Sequence, residues 1–252
     1  MTLESVLASL GTTAGIALAL APLPTIRTII GAKSVGDFSV FPYIVTFCQC
    51  LLWIVYAIVT PDKMALIPVN AFVLVAECVY CCMFMYYSVP ANRRELSKTI
   101  LVPLGCSLFG IFLALMTSNA SKFVGFFAVL GNIVTYASPL SVVKLVVETR
   151  SVKYMPLMLS VVGTGASIIW TAWAACAHDR FVLVPNVLGI FLGLIQLAVY
   201  AKYYKSDVDV ADLSPVHPFY ATADTHDSFS PGSIRVDSVL IKPHQPEVPP
   251  QE

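Results

Sequence analysis

Seven long apolar stretches, separated by short polar segments, fill the chain from residue 5 to residue 205. A helix needs about 20 apolar residues to cross the hydrocarbon core of a bilayer. The pattern therefore predicts an all-α membrane protein with seven transmembrane helices, at Ser5–Ile30, Ser39–Thr60, Met64–Tyr87, Thr99–Met116, Phe123–Val147, Met155–Ala177 and Phe181–Tyr203.

The same pattern of residues occurs twice, 116 or 117 positions apart. The copies share a proline, a basic-Ser-Val triplet, a tryptophan and an asparagine: Pro22 and Pro139, Lys33–Val35 and Arg150–Val152, Trp53 and Trp170, Asn70 and Asn186. The fourth span has no counterpart. We predict two parallel three-helix repeats, residues 5–88 and 123–205, joined by a linker helix at 99–116. This 3+1+3 plan is typical of transporters with a central site.

Composition excludes a soluble protein, since 57% of residues are hydrophobic, 12% are charged and the mean hydropathy is +0.78. Ten Lys and Arg residues fall at one set of loops and helix ends, against three at the other: Lys63, Lys122 and Arg180. The positive-inside rule then places the N-terminus outside and the C-terminus in the cytosol. Residues 206–252 hold eight acids, two bases and seven prolines, which predicts a disordered cytosolic tail.

The sequence contains no glycine-rich phosphate loop and no HExxH or GxSxG motif. The seven cysteines stand in apolar runs, where thiols usually pack as small hydrophobes. The histidines lie in one loop and the tail. We therefore expect no catalytic residues, no metal, no cofactor and no nucleic-acid partner.

Paired polar and aromatic residues within the spans are the candidates for a binding site. Asn70 and Asn186 occupy the third span of each repeat, where an amide is energetically costly and a functional role is the default expectation. Their symmetric placement favours hydrogen bonding to hydroxyl groups over interhelical contact. Trp53 and Trp170 occupy equivalent positions on the second spans and are candidates for stacking on a ligand ring.

Four prolines, two in each repeat, stand inside or at the edge of spans: Pro22, Pro42, Pro139 and Pro156. Kinks at these positions would form a hinge set near the cytosolic end. Near the outer end, Tyr56, Lys63 and Asp179 either close the mouth or are solvated loop residues. Glu77, without a second acid or histidine at its depth, is interpreted as structural rather than as a proton relay.

The combined motifs resemble those of the SWEET (MtN3/saliva) sugar transporters over about residues 5–205. The matching segments are Ala21–Pro22, Lys33–Tyr43, Trp53–Tyr56, Pro68–Asn70 with Glu77, Ser138–Ser141, Arg150–Pro156 and Val184–Gln196. The sequence departs from the family pattern at Thr12, Gln49 and Ala57, which bears on the choice of sugar.

The resemblance implies a bidirectional facilitator of mono- or disaccharides that works by alternating access. It assigns sugar binding to Asn70 and Asn186, with Trp53 and Trp170 above and below the sugar. It assigns the hinge to the four prolines, the outer gate to Tyr56 and Asp179, and the inner gate to Met155. The expected partners are a sugar such as glucose, another hexose or sucrose, membrane lipid, and further copies of the chain in a dimer or trimer.

Two other functions are considered. A proton-coupled amino-acid exporter of the PQ-loop type would carry Pro-Gln at the kinks, where this chain has Pro22-Leu23 and Pro139-Leu140. A seven-span signalling receptor is less compatible, because such receptors are not internally repeated. We expect an integral protein of the plasma membrane, with the vacuolar or another internal membrane as the alternative.

Overall fold

The computed structural model describes residues 2–36, 38–153 and 155–207. This part holds nine α-helices and two short 3₁₀ turns, and no β-strand. The helices are α1 (Leu3–Ala19), α2 (Leu23–Ala32), α3 (Phe41–Val59), α4 (Ile67–Tyr87), α5 (Arg93–Leu115), α6 (Ala120–Thr135), α7 (Ala137–Thr149), α8 (Leu157–Cys176) and α9 (Arg180–Asp207). Most of the predicted disordered tail, residues 208–252, lies outside the described residues.

Seven helical segments are long and apolar enough to span a membrane, which confirms the predicted fold class. The fourth segment begins at Arg93, six residues before the predicted start at Thr99. Hydropathy marks only the apolar part of a helix, whereas the backbone continues into the polar region. There Lys98 and Glu95 form an ion pair of 2.7 Å one turn apart, which is compatible with a helix.

The first and fifth spans are each broken into two helices, and the predicted prolines stand at or near the breaks. Pro22 directly precedes α2, and Pro139 is the third residue of α7, just after the break at Tyr136. Pro42 and Pro156 differ from the expectation of four kinks. They stand in the first turn of α3 and directly before α8, where a missing N–H costs no helical hydrogen bond.

Within each repeat the helix of the third span packs against the helices of the first and second spans. Helix α4 contacts α1 and α3, and α9 contacts α6, α7 and α8. Between the repeats, α1 packs on α8 and α3 packs on α6. These two interfaces are equivalent when the repeats are exchanged, as expected for parallel repeats related by a two-fold axis. Helix α5 packs on both α3 and α6.

The repeat is visible in the backbone at each turn. Lys33 and Arg150, 117 residues apart, both adopt the left-handed conformation, with φ of 50° and 54°. Asp62 and His178, 116 residues apart, have φ of 58° and 51°. Residues other than glycine rarely adopt this conformation, so its recurrence at matching positions shows that the repeats share their turn geometry.

The two ends of the helix bundle are packed differently. We call the end at Lys33 and Arg150 the basic end, and the end at Asp62 and His178 the opposite end. Towards the opposite end, one buried cluster contains residues of both repeats, including Trp53, Tyr56, Trp170, Trp173 and Val182.

Two further buried clusters lie towards the basic end, and the buried residues of each belong to one repeat only. One contains Ile29 and Phe84, and the other contains Val146 and Met155. Among the described helices, α2 does not contact the second repeat and α7 does not contact the first. The repeats are therefore joined near the opposite end and separate at the basic end.

Candidate functional site

A hydrogen-bonded contact joins the two repeats at the opposite end. The hydroxyl of Tyr56, on α3, donates to both carboxylate oxygens of Asp179, at 3.0 and 3.1 Å. The same carboxylate accepts from the backbone N–H groups of Phe181 and Val182, at 3.0 and 3.1 Å, and so caps α9. Asp179 is only 3% exposed. Its position is thus fixed by α9, and Tyr56 reaches it from the other repeat.

Lys63 makes a second contact between the repeats. Its ammonium donates to the carbonyl of Ala177 at 2.6 Å and lies 5.8 Å from the ring centre of Trp173. Lys63 and Asp179 form no ion pair with each other, since Asp179 is engaged by Tyr56 and the α9 backbone. Sequence reasoning missed Trp173 as a partner, although it stands 117 residues after Tyr56 and is its repeat counterpart. We call the contacts of Tyr56 with Asp179 and of Lys63 with Ala177 the latch.

The two candidate asparagines have the same local geometry. The side-chain amide of Asn70 donates to the carbonyl of Leu66 at 2.8 Å, and that of Asn186 donates to Val182 at 2.8 Å. Both side chains are half-buried. Within the described residues, the amide oxygen and second N–H of each make no hydrogen bond. Each asparagine can therefore still donate and accept, which is the pairing that a hydroxyl group requires.

The two candidate tryptophans lie in the buried cluster shared by the repeats, with exposures of 8% for Trp53 and 9% for Trp170. Trp53 packs edge-on against Tyr56, with ring centres 5.5 Å apart, and Trp170 packs edge-on against Trp173 at 5.6 Å. Each indole thus contacts the aromatic residue one turn closer to the latch. Trp53 thus contacts a latch residue directly, and Trp170 contacts the ring that lies beside Lys63.

Trp170 also reaches across the boundary between the repeats. A Cβ atom placed on Gly11 of α1 would lie 2.7 Å from Cε2 of Trp170. Only a residue without a side chain lets α1 and α8 approach so closely with the indole between them. Gly11 was not among the residues singled out from the sequence.

A buried amide joins α3 and α6. The side-chain nitrogen of Gln49 donates to the carbonyl of Ala128 at 2.6 Å and to the amide oxygen of Asn132 at 3.1 Å. Gln49 is 7% exposed. The sequence identified Gln49 only as a departure from the family pattern and did not identify Asn132. A search for every amide within an apolar span would have found it.

Met155 and Glu77 are both buried and stand apart from the latch. Met155 is 1% exposed and packs with Val142, Val146 and Val152 of its own repeat. Glu77 is 6% exposed, and one of its carboxylate oxygens has no hydrogen-bond partner in the described residues. No basic side chain in that part of the chain pairs with it. Its repeat counterpart is Gly193, so this carboxyl is not duplicated.

The family model MtN3_slv, described as "Sugar efflux transporter for intercellular exchange", matches residues 5–92 and 122–207. The chain is 33% identical over 211 residues to bidirectional sugar transporter SWEET5 of Arabidopsis thaliana, covering 81% of this chain and 88% of that protein. It is 35% identical over 223 residues to bidirectional sugar transporter SWEET16 of the same plant, covering 84% and 96%. It is 36% identical over 195 residues to bidirectional sugar transporter SWEET7b of Oryza sativa subsp. japonica, covering 75% and 74%.

The fold is also similar to the 3.7 Å structure of a eukaryotic SWEET transporter. The two superimpose with a TM-score of 0.73 and 26% sequence identity, over 81% of this chain and all of that one.

Proposed function

Because the chain belongs to the SWEET (MtN3/saliva) family of membrane transporters, we propose that it moves a mono- or disaccharide down its gradient, in either direction, by alternating access. The observation that carries the proposal is the identical state of Asn70 and Asn186. Each is anchored to its own helix and keeps a free donor and acceptor. Relatives named as bidirectional sugar transporters support sugar as the substrate class.

The paired amides bind hydroxyl groups of the sugar in this proposal, and Trp53 and Trp170 stack on its ring. An indole offers a large apolar face to the C–H face of a pyranose. The separate basic ends of the two repeats give the sugar its route to this site from one side, while the latch closes the other side.

The transport cycle follows from the two kinds of contact. Opening the latch breaks the Tyr56–Asp179 and Lys63–Ala177 hydrogen bonds, and closing the basic end brings Met155 towards its counterpart Phe38. The breaks at Pro22 and Pro139 provide the bending points. Pro42 and Pro156, at helix starts, fix the direction of the second spans.

We infer that the basic end faces the cytosol, since it carries most of the Lys and Arg residues. The N-terminus then lies outside, and the plasma membrane is the proposed location. The exposed apolar side chains of α5, such as Leu101, Phe109 and Phe112, provide surface for lipid or for another copy of the chain.

The test is uptake of radiolabelled glucose and sucrose by a host that lacks hexose transporters. We expect Asn186→Ala and Asn70→Ala each to lower uptake about tenfold or more, since each loses two hydrogen bonds to the sugar at about 0.5–1.5 kcal/mol apiece. Asn119→Ala, at an exposed position outside the site, is the matched control and should keep normal uptake. Surface labelling must show equal expression of all variants.

Normal uptake in Asn186→Ala would contradict the site. Flux driven by a pH gradient and lost in Glu77→Gln would instead identify a proton-coupled exporter.

A further inference from the structure

A groove between α6 and α9 opens on the outer surface of the second repeat, at the opposite end of the bundle. Its lining consists of two basic and four apolar side chains: Lys122, Phe126, Val129, Arg180, Phe181 and Val184. Two of the three basic residues at this end of the bundle therefore face one groove. The third, Lys63, is engaged in the latch.

The two cations are exposed and uncompensated. Neither Lys122 nor Arg180 makes an ion pair or a side-chain hydrogen bond in the described part of the chain. The adjacent carboxylate of Asp179 is buried and directed towards Tyr56. Both cations stand in the first turn of a helix, where the macrodipole is also positive. The mouth of the groove thus attracts an anion.

Below the cations the groove is apolar. Phe126 and Val129 follow Lys122 by four and seven residues, which places them about 6 and 10 Å further along the helix axis. Val184 follows Arg180 by four residues. Phe126 and Val184 are 53% and 48% exposed. A ligand that matches this surface has an anionic head and an apolar chain that runs into the hydrocarbon region.

We propose that the groove binds an anionic phospholipid, with its phosphate between Lys122 and Arg180 and an acyl chain along Phe126, Val129 and Val184. Basic pockets between membrane helices bind anionic lipid headgroups on the cytoplasmic or matrix side of membranes. The paired cations here offer the same attraction to a phosphate at the opposite end. This inference does not depend on which solute the protein moves.

The lipid has a direct connection to the latch. The ring of Phe181 lines the groove and also lies 5.7 Å from the ring of Tyr56, which donates to Asp179. A chain packed on Phe181 holds that ring against Tyr56. Bound lipid therefore stabilises the closed opposite end.

The experiment titrates the full chain in detergent with phosphatidylglycerol or phosphatidylcholine and counts bound lipids by native mass spectrometry. We expect tighter binding of phosphatidylglycerol. The variant Lys122→Gln/Arg180→Gln should weaken the binding of phosphatidylglycerol about thirtyfold, because each cation contributes about 1 kcal/mol, or about fivefold in affinity. The control Lys98→Gln/Lys144→Gln removes two exposed cations at the basic end, and it should bind phosphatidylglycerol like the unaltered protein.

Three results would overturn the proposal: equal binding of the two lipids, unchanged binding in the Lys122/Arg180 variant, or displacement of phosphatidylglycerol by inorganic phosphate at the same concentration. The last would identify a site for free phosphate. If the double variant does not keep its melting temperature in phosphatidylcholine, the single variants, each with a fivefold effect, provide the same test.

Discussion

The two repeats agree in their backbone and differ in the side chains that hold them together. Both turn through left-handed residues at matching positions, both break their first span, and both anchor an asparagine to the carbonyl four residues earlier. The interfaces between them diverge. Helix α1 meets α8 through Trp170 against Gly11, whereas α3 meets α6 through the amide of Gln49.

A similar divergence occurs where the first span of each repeat is broken. In the first repeat, Tyr80 of α4 donates to the carbonyl of Ala19 at 2.8 Å. In the second repeat, the tyrosine stands at the break itself, and Tyr136 donates to the carbonyl of Pro185 on α9. In both repeats a tyrosine hydroxyl links the first span to the third. The tyrosine belongs to the third span in the first repeat and to the first span in the second repeat. The comparison indicates that the repeats share their turns and the geometry of the two asparagines, while the side-chain contacts between helices differ.

The largest expected effect concerns the apolar interface. Gly11→Ala places a methyl group 2.7 Å from the indole of Trp170, so α1 and α8 must move apart. Overpacking of this kind costs about 1–3 kcal/mol, and thermal unfolding in detergent should show a fall of about 2–4 °C per kcal/mol. Gly163→Ala is the control, because nothing lies within 4 Å of its added Cβ. An equal melting temperature for both variants would mean that this interface is not closely packed.

An intermediate effect is expected at the latch. Asp179→Asn keeps an oxygen to cap α9 but removes the charge that strengthens the bond from Tyr56. A hydrogen bond to a charged group is worth about 1 kcal/mol more than a neutral one, so we expect the population with an open opposite end to rise about fivefold to tenfold. Hydrogen exchange of peptides covering residues 56–63 and 177–183 measures this change.

A second aspartate at the same end of the bundle provides the control for the latch variant. Asp62 stands next to Lys63 in the chain, and it is exposed. Asp62→Asn should leave exchange unchanged, since asparagine tolerates the left-handed conformation found there. If Asp62→Asn altered exchange as much as Asp179→Asn, the change could not be assigned to the bond between Tyr56 and Asp179.

The smallest effect is expected at the polar interface. A double-mutant cycle of Gln49→Ala and Asn132→Ala should give a coupling energy of about 0.6 kcal/mol, the average for hydrogen bonds between membrane helices. A cycle of Gln49→Ala with the exposed Asn119→Ala should give a coupling near zero. Unfolding equilibria in mixed micelles measure both. Zero coupling for Gln49 and Asn132 would show that Gln49 is held by the Ala128 carbonyl alone.

The sequence predicted the features that depend on hydropathy and duplication. The seven spans, the unpaired fourth helix and the candidate asparagines follow from apolar length and from a repeat of 116 or 117 residues. The partners across the interfaces were not predicted, because Gly11 and Gln49, which contact Trp170 and Asn132, are not repeated and have alanines at the matching positions. Their sequence separation carries no local signal, and only the packing of the repeats reveals them. Lys63 likewise bonds to a backbone carbonyl, which has no residue identity to detect.

The bond that each asparagine makes to its own helix has a consequence for ligand binding. Asn70 and Asn186 are each held in one orientation by the carbonyl four residues earlier. Immobilising a side chain on binding costs about 0.5–1.5 kcal/mol, and here helix formation has already restricted both amides. In the proposed site, recognition by these residues is therefore pre-organised. A solute could be bound and released there without rearranging either amide.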